Sequence, residues 1–461
     1  MSDFVSFVGQ YLLKAAAGAV LVSVFGAFVL WTAAKQHKKK YGSERSFPWL
    51  RSVQLLMLAG YLSVVLLVTV RGSGYYTGSA NFHLFRAWRE AWNSFSERAW
   101  LNVLLNIALF VPLGILLPLI WKRLQRWHLM LLVGFGTSLF VEISQLLKGS
   151  GLFDVDDLFT NTLGTMVGFW LLIAALCFRK RQWGRSAANL LALLTVAASI
   201  SGIFVAYGAQ EYGNLSTDPA FRVNTKNIQW EISCDLPEKL WTADIYRTEV
   251  WDREKCEAFG RNFFERLGVS QVDVTFYNDE VYLREYHGNR ILEVFYHGGY
   301  YTYTDLDMGR SFAEAGEAAL RQILPEYGIE LPDTARYSYE GDTQYFRADR
   351  HVEGSTMIDG EIAVQWEEDG GVRTIDNKML QLTYYGETEI ITPGDAVRRL
   401  MDGHISSGDW FEKKAPRQVQ ITSCELTYQV DTKGFYQPVY RIRLFDAESG
   451  YDALQIVSAI A

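Results

Sequence analysis

Cysteine is scarce, with four residues in a chain of 461. Cys177 falls inside an apolar run. Cys234, Cys256 and Cys424 lie in the C-terminal half, an odd number that excludes a complete disulfide framework; one pair with a leftover thiol and three unpaired thiols both stay open. No Cys-x-x-Cys and no Cys/His spacing suggests a zinc site. Histidine is also sparse, and His287, His297, His351 and His404 have no nucleophile or ligand at a telling spacing, so they are read as surface or packed imidazoles. Positive charge is missing from the extreme N-terminus, where Asp3 is the only charge before Lys14. The first apolar run therefore lacks the basic region of a cleaved signal peptide and is expected to be retained.

Long hydrophobic runs are plentiful. Hydrophobic residues make up 49% of the chain, and the runs crowd into its first half. Residues 1–207 contain 19 Lys+Arg against 8 Asp+Glu, whereas the remainder contains 25 against 44, within a net charge of −8. A basic, apolar front and an acidic back point to a membrane portion followed by a water-facing one. Six segments reach or approach the ~20 residues needed to cross a bilayer: 11–34, 50–70, 101–120, 128–147, 158–178 and 187–207. Lys35, Lys38, Lys39 and Lys40 follow the first, Lys122, Arg123 and Arg126 the third, and Arg179, Lys180, Arg181 and Arg185 the fifth. These are alternate loops, and the positive-inside tendency then puts both termini, and all of 208–461, outside a bacterial cell. The expected localisation is multi-pass in the cell membrane. Four arginines in the outer loop 71–100 run against that trend.

Residues 81–100 alternate an aromatic face (Phe85, Trp88, Trp92, Phe95) with a charged one (Arg86, Arg89, Glu90, Asn93, Glu97). That pattern suits a helix lying in the membrane interface or a lid packed on the bundle. The expected division is 1–98, with two spans and this helix; 99–207, a four-helix membrane domain; and 208–461, an extracytoplasmic α+β domain. In the last, helices are expected near 253–267, 311–327 and 393–402. Each precedes strand-like runs, giving a helix-plus-meander unit repeated about three times.

Polar residues inside the spans are the functional candidates, because ionisable groups at membrane depth are costly. Asn102 and Asn106 open the third span, whose Pro112 removes a backbone donor. Gly134, Ser138, Glu142 and Gln145 form a stripe on the fourth. Asp154, Asp156 and Asp157 precede and open the fifth, which continues through Asn161, Gly164 and Gly168. The alternating topology brings these stripes to one depth, in the outer leaflet. Asp154 and Asp156 also suit helix capping. Asn102 and Asn106 suit interhelical hydrogen bonding, and Gly164 and Gly168 form a small-residue contact face. Glu142 is the residue least explained by packing.

Residues 99–178 resemble the VanZ-like membrane family, associated with glycopeptide-antibiotic resistance in Gram-positive bacteria. The resemblance is carried by Asn102 and Asn106 with Phe110-x-Pro112-x-Gly114, by Glu142-x-x-Gln145, and by Phe153-Asp154-Val155-Asp156-Asp157 with Asn161-x-x-Gly164 and Gly168. Where that family usually places an arginine before the aspartates, this chain has Gly151 and Leu152, with Lys148 nearby. The stretch from Val419 to Leu444 is similar to YycI-type and PepSY-type envelope domains. The resemblance implies a protein without cofactors that binds teicoplanin-like glycopeptides, a lipid-linked wall precursor or a wall polymer. Asn102, Asn106, Glu142, Gln145, Asp154, Asp156, Asp157 and Asn161 are the ligand-binding candidates.

Two alternatives stand beside it. One is an intramembrane hydrolase or transferase with Glu142 as general base, or with Asp154, Asp156 and Asp157 holding a divalent cation; no serine, cysteine or histidine nucleophile accompanies those residues. The other is a sensor or scaffold acting on an envelope protein through 208–461. Expected partners include the lipid bilayer and exclude nucleic acid.

Overall fold

The computed structural model describes residues 26, 28–40, 47–70, 80–148, 153–238, 241–277, 280–296, 298–309, 311–353, 356–368, 370–406, 411 and 416–461. Most of the first expected span, and the Gly151-Leu152 position, lie outside the described residues. The chain divides into two compact units, one of residues 1–85 and 101–206, the other of residues 86–100 and 207–461.

The first unit is helical. Helix α1 (Trp49–Val70) is followed by a two-residue strand β1 (Ala80–Asn81). After a short helix α2 (Arg86–Ser94), which belongs to the second unit, come α3 (Glu97–Ile120) and α4 (Trp127–Lys148), then strand β2 (Phe153–Asp154), α5 (Val155–Arg179) and α6 (Trp183–Ala209). Helices α3, α4, α5 and α6 are each long and apolar enough to cross a membrane. This is a membrane protein by those four helices. Phe110, Leu113, Met130, Val141, Met166 and Phe169 form the buried core of the bundle.

Glycines set the spacing of α3 against α5. A Cβ at Gly164 would collide with the Ile107 carbonyl oxygen, one at Gly168 with that of Val111, and one at Gly114 with that of Thr165. Bare backbone on both helices lets them touch, which in lipid substitutes packing for the missing hydrophobic drive. The small-residue stripe read from the sequence is this seam.

The aromatic stretch departs from the expected continuous helix over 81–100. Phe85 and Phe95 both adopt positive φ, 67° and 41°, and so break the chain on either side of α2. Residues 86–100 group with the C-terminal unit and pack there. Asn93 Nδ2 donates to the Asp218 carbonyl at 2.7 Å, Asn214 Nδ2 donates to the Trp92 carbonyl at 2.6 Å, and the Phe95 ring stacks on Tyr207.

The second unit is strand-rich. Strands β3 (Gln229–Ile232) and β4 (Trp241–Arg247) lead to α7 (Arg253–Arg266), capped by Asp252, whose carboxylate accepts from the Lys255 amide at 2.8 Å. A meander follows: β5 (Val272–Phe276), β6 (Glu280–Glu285), β7 (Arg290–Phe295) and β8 (Tyr301–Asp305). Helix α8 (Glu317–Ile323) with a 3₁₀ turn (Leu324–Tyr327) precedes β9 (Arg336–Glu340), β10 (Thr343–Glu353), β11 (Thr356–Trp366), β12 (Val372–Asn377) and β13 (Leu380–Ile390). Helix α9 (Pro393–Met401) precedes β14 (Gln418–Val430), β15 (Phe435–Asp446) and β16 (Tyr451–Ser458).

Helix-then-meander thus recurs as the apolar periodicity suggested. The helix expected over 311–327 is shorter, because Phe312 bridges to Glu367 as a strand would and Gly316 turns the chain at φ 86°. Strands β3–β16 join one mixed sheet, ordered β3-β14-β15-β4-β13-β11-β12-β8-β7-β6-β5, with β10 on β11, β9 on β10 and β16 on β15. Helices α7 and α8 cover one core (Phe263, Phe264, Leu283, Leu292, Leu320, Leu324), and α9 covers another (Val397, Leu400, Val419, Ile421, Ile442, Leu444).

Candidate functional site

The start of α5 is fixed by its own acids. Asp154 adopts an extended conformation and its carboxylate accepts from the Asp156 amide at 2.8 Å, capping the helix. Asp156 and Asp157 then fall in the first turn, where the free amides and dipole favour negative charge. Strand β2 holds this turn in place by pairing in parallel with β1, Asn81 opposite Asp154, and Asn81 Nδ2 donates to Asp154 Oδ1 at 3.1 Å.

Three helices meet at this turn. Glu142, in the last third of α4, is 1% exposed, and its Oε2 accepts the Asp154 amide at 3.0 Å. Asn106, in the first half of α3, donates from Nδ2 to Asp157 Oδ1 at 2.6 Å. Asn161, one turn further along α5, donates to Ser138 Oγ on α4 at 3.1 Å, and Ser138 Oγ donates to the Asp157 carbonyl at 3.4 Å. Asp156 is fully buried and its Oδ1 accepts the Phe85 amide. Glu142, Asp154, Asp156, Asp157, Asn106 and Asn161 therefore form one polar centre at the level where α3 begins, α4 ends and α5 begins. Asn102 is exposed on α3 and has no hydrogen bond to this centre; Gln145 is half-buried one turn beyond Glu142.

The centre is rich in acceptors. The hydrogen bonds described above come from main-chain amides and from asparagine and serine side chains. No basic side chain pairs with Glu142 or Asp157 among the described residues. Asn161 is 5% exposed, and its Oδ1 has no hydrogen-bond partner. A buried acceptor without a donor costs about 1–3 kcal/mol, so it marks where a donor is wanted. Among the described residues no group of three or more His, Cys, Asp or Glu side chains is arranged to hold a metal ion. Asp154 accepts from its own helix and from Asn81, Asp156 from the Phe85 amide, and Asp157 from Asn106.

Sequence reasoning missed Asn81 and the Phe85 amide. Asn81 belongs to a two-residue strand too short to carry a periodic signal, and a backbone amide leaves no trace in residue type.

Residues 54–178 match the VanZ/LLP1 family. The matched segment contains α3, α4 and α5, with every residue of the polar centre, and stops at the end of α5. Among curated proteins, none is significantly similar to the chain. Among solved structures, the Bacillus megaterium YpeB C-terminal domain aligns with 46% of this chain and 99% of its own length, at 11% identity and a TM-score of 0.20. Those figures lend none of that protein's properties to this one. The VanZ-like segment is where the resemblance read from the motifs and the convergence of side chains coincide.

Proposed function

We propose that the VanZ-like segment is a binding site for an extracellular or outer-leaflet ligand of the bacterial envelope. The ligand would be a glycopeptide, a lipid-linked wall precursor or a wall polymer, and the protein would contribute to glycopeptide tolerance. The observation that carries this reading is the Glu142 carboxylate, buried among three helices and met by a main-chain amide rather than a cation, beside the unsatisfied Asn161 Oδ1. A carboxylate and a spare carbonyl removed from water are expensive to keep unless a ligand rich in hydroxyl or amine donors uses them.

In this reading the chain crosses the membrane six times, with both termini outside. Residues 208–461 then stand in the extracytoplasmic space. The alternate basic loops support that arrangement. The test is equilibrium binding of detergent-purified protein to a teicoplanin-type glycopeptide, to lipid-linked wall precursors and to teichoic acid. Binding to one class, lost in Glu142→Gln, is the expected result. Equal binding by wild type and Glu142→Gln, with no ligand turned over, removes the site from the function.

A further inference from the structure

Two of the four thiols pack on the same core, Cys424 from β14 and Cys234 from the segment just past the end of β3. Strand β3 pairs in parallel with β14 in the register Gln229–Gln418, Trp230–Val419, Glu231–Gln420 and Ile232–Ile421, and the Ser233 amide donates to the Ile421 carbonyl at 2.9 Å. Beyond that point β14 has a bulge, seen as a shift in its pairing with β15 between Ile421 and Ser423. One extra residue on β14 moves the register by one, and that register, carried two residues past the end of β3, sets Cys234 across from Cys424.

The facing pattern agrees. Val419 and Ile421 before the bulge, and Cys424 and Leu426 after it, pack on the α9 core; so do Trp230, Cys234 and Leu236 on the other side. Adjacent strands lie about 4.8 Å apart, within the Cα separation of about 4.4–6.8 Å that a disulfide spans. Cys256 is fully buried in the other core, and Cys177 lies in α5. All four carry free thiols in this structure.

We infer that Cys234 and Cys424 are a disulfide-forming pair that fastens β3 to the sheet, leaving Cys256 as the unpaired thiol of this unit. Strand β3 is an edge strand of four residues, and between Ile232 and Cys424 the chain runs through β4 to β13 and α9. A bond here closes a very long loop, the kind whose closure most restricts the unfolded chain.

The oxidant is a small-molecule or protein disulfide. The Cys234 thiolate, at the end of the edge strand, attacks it and releases one oxidant thiol. The Cys424 thiolate then displaces the second. The two cysteines lose two electrons and two protons, and the oxidant disulfide gains them as two thiols. Burial raises both thiols, that of Cys424 up to about 12 with Cys234 and Glu425 adding to the effect, so the exchange is expected to quicken as pH rises.

Whether the bond forms in the cell rests on the outward placement proposed above; the pairing itself does not. The experiment treats purified full-length protein with oxidised glutathione or oxidised dithiothreitol, titrates thiols in denaturant and maps peptides without reduction. The expected result is a fall from four titratable thiols to two, with Cys234 linked to Cys424. Cys234→Ser and Cys424→Ser should each retain three and give no internal link. Four surviving thiols in the wild type, or a link through Cys256, overturns the inference. A second arm alkylates cells before lysis. Pairing under oxidant together with fully reduced cysteines in cells keeps the inference and counts against the outward placement instead.

Discussion

Asn106 on α3 reaches across to Asp157 on α5, amide nitrogen to carboxylate oxygen, at 2.6 Å. The bond joins the same two helices that the glycine seam brings into backbone contact, and its Asp157 end lies about two turns before Gly164 on α5. Removing the donor leaves a half-buried carboxylate oxygen without that partner. Asn106→Ala is expected to lower stability in detergent by about 0.6–2 kcal/mol, read as a fall in thermal midpoint. An unchanged midpoint would show that the bond is not formed in the folded bundle.

The seam itself makes a sharper contrast. Gly164→Ala inserts a methyl group into the Ile107 carbonyl, and the two helices must part to take it. A loss of more than about 2 kcal/mol is expected. Gly136→Ala, where nothing lies within 4 Å, should be neutral or stabilising by up to about 1 kcal/mol. Equal effects in the two variants would show that α3 and α5 do not meet at Gly164.

In the C-terminal unit, Asp431 is 3% exposed and accepts from the amides of Gly213 at 2.6 Å, Lys433 at 2.7 Å and Phe435 at 2.9 Å, and from the side-chain amide of Gln437. Lys433 Nζ donates to the Tyr207 carbonyl at 2.8 Å. The turn between β14 and β15 therefore latches the segment that leaves α6. Asp431→Ala is expected to speed amide exchange across 211–215 by 10-fold or more, since several donors lose one acceptor together. Exchange at 290–295, in a different part of the sheet, should not change.

Glu285 and Arg290 form a two-bonded pair, at 2.8 and 2.9 Å, across the β6–β7 turn. That pairing holds the Glu285 carboxyl below its ordinary value of 4.5. A lowered carboxyl contributes stability that is fully present above 4.5 and is lost as pH falls through the lower folded value. Glu285→Gln should therefore weaken protection of 280–295 by about 0.5–1 kcal/mol at neutral pH, the scale of a partly exposed pair. The gap to wild type should close in acid. A gap that persists below the folded carboxyl's titration would mean that the charge is not its cause.

Much of the bundle was legible because span-length apolar runs are strong, local signals. Asp154 as a cap and Glu142 as a buried acid followed from type and position. The stretch 81–100 was not legible in the same way. Its aromatic spacing fits one helix, but Phe85 and Phe95 are turned to positive φ by packing partners such as Phe159 and Tyr207 that lie far away in sequence. Asn102 shares a helix face with Asn106 by spacing, yet a face is wider than a contact, and only Asn106 reaches an acid. In the C-terminal unit the repeat was visible, whereas the order of its strands was not, because pairings such as β4 with β13 join segments over a hundred residues apart.

Three of the acids at the polar centre are answered by the peptide bond itself: Glu142 by the nitrogen of residue 154, Asp154 by that of residue 156, and Asp156 by that of residue 85. Any amino acid but one supplies that group. Swapping Phe85 for another side chain should thus leave the Asp156 contact standing, while proline there would erase it. A survey by alanine would pass over half of what holds these carboxylates, and only a proline survey would bring it to light.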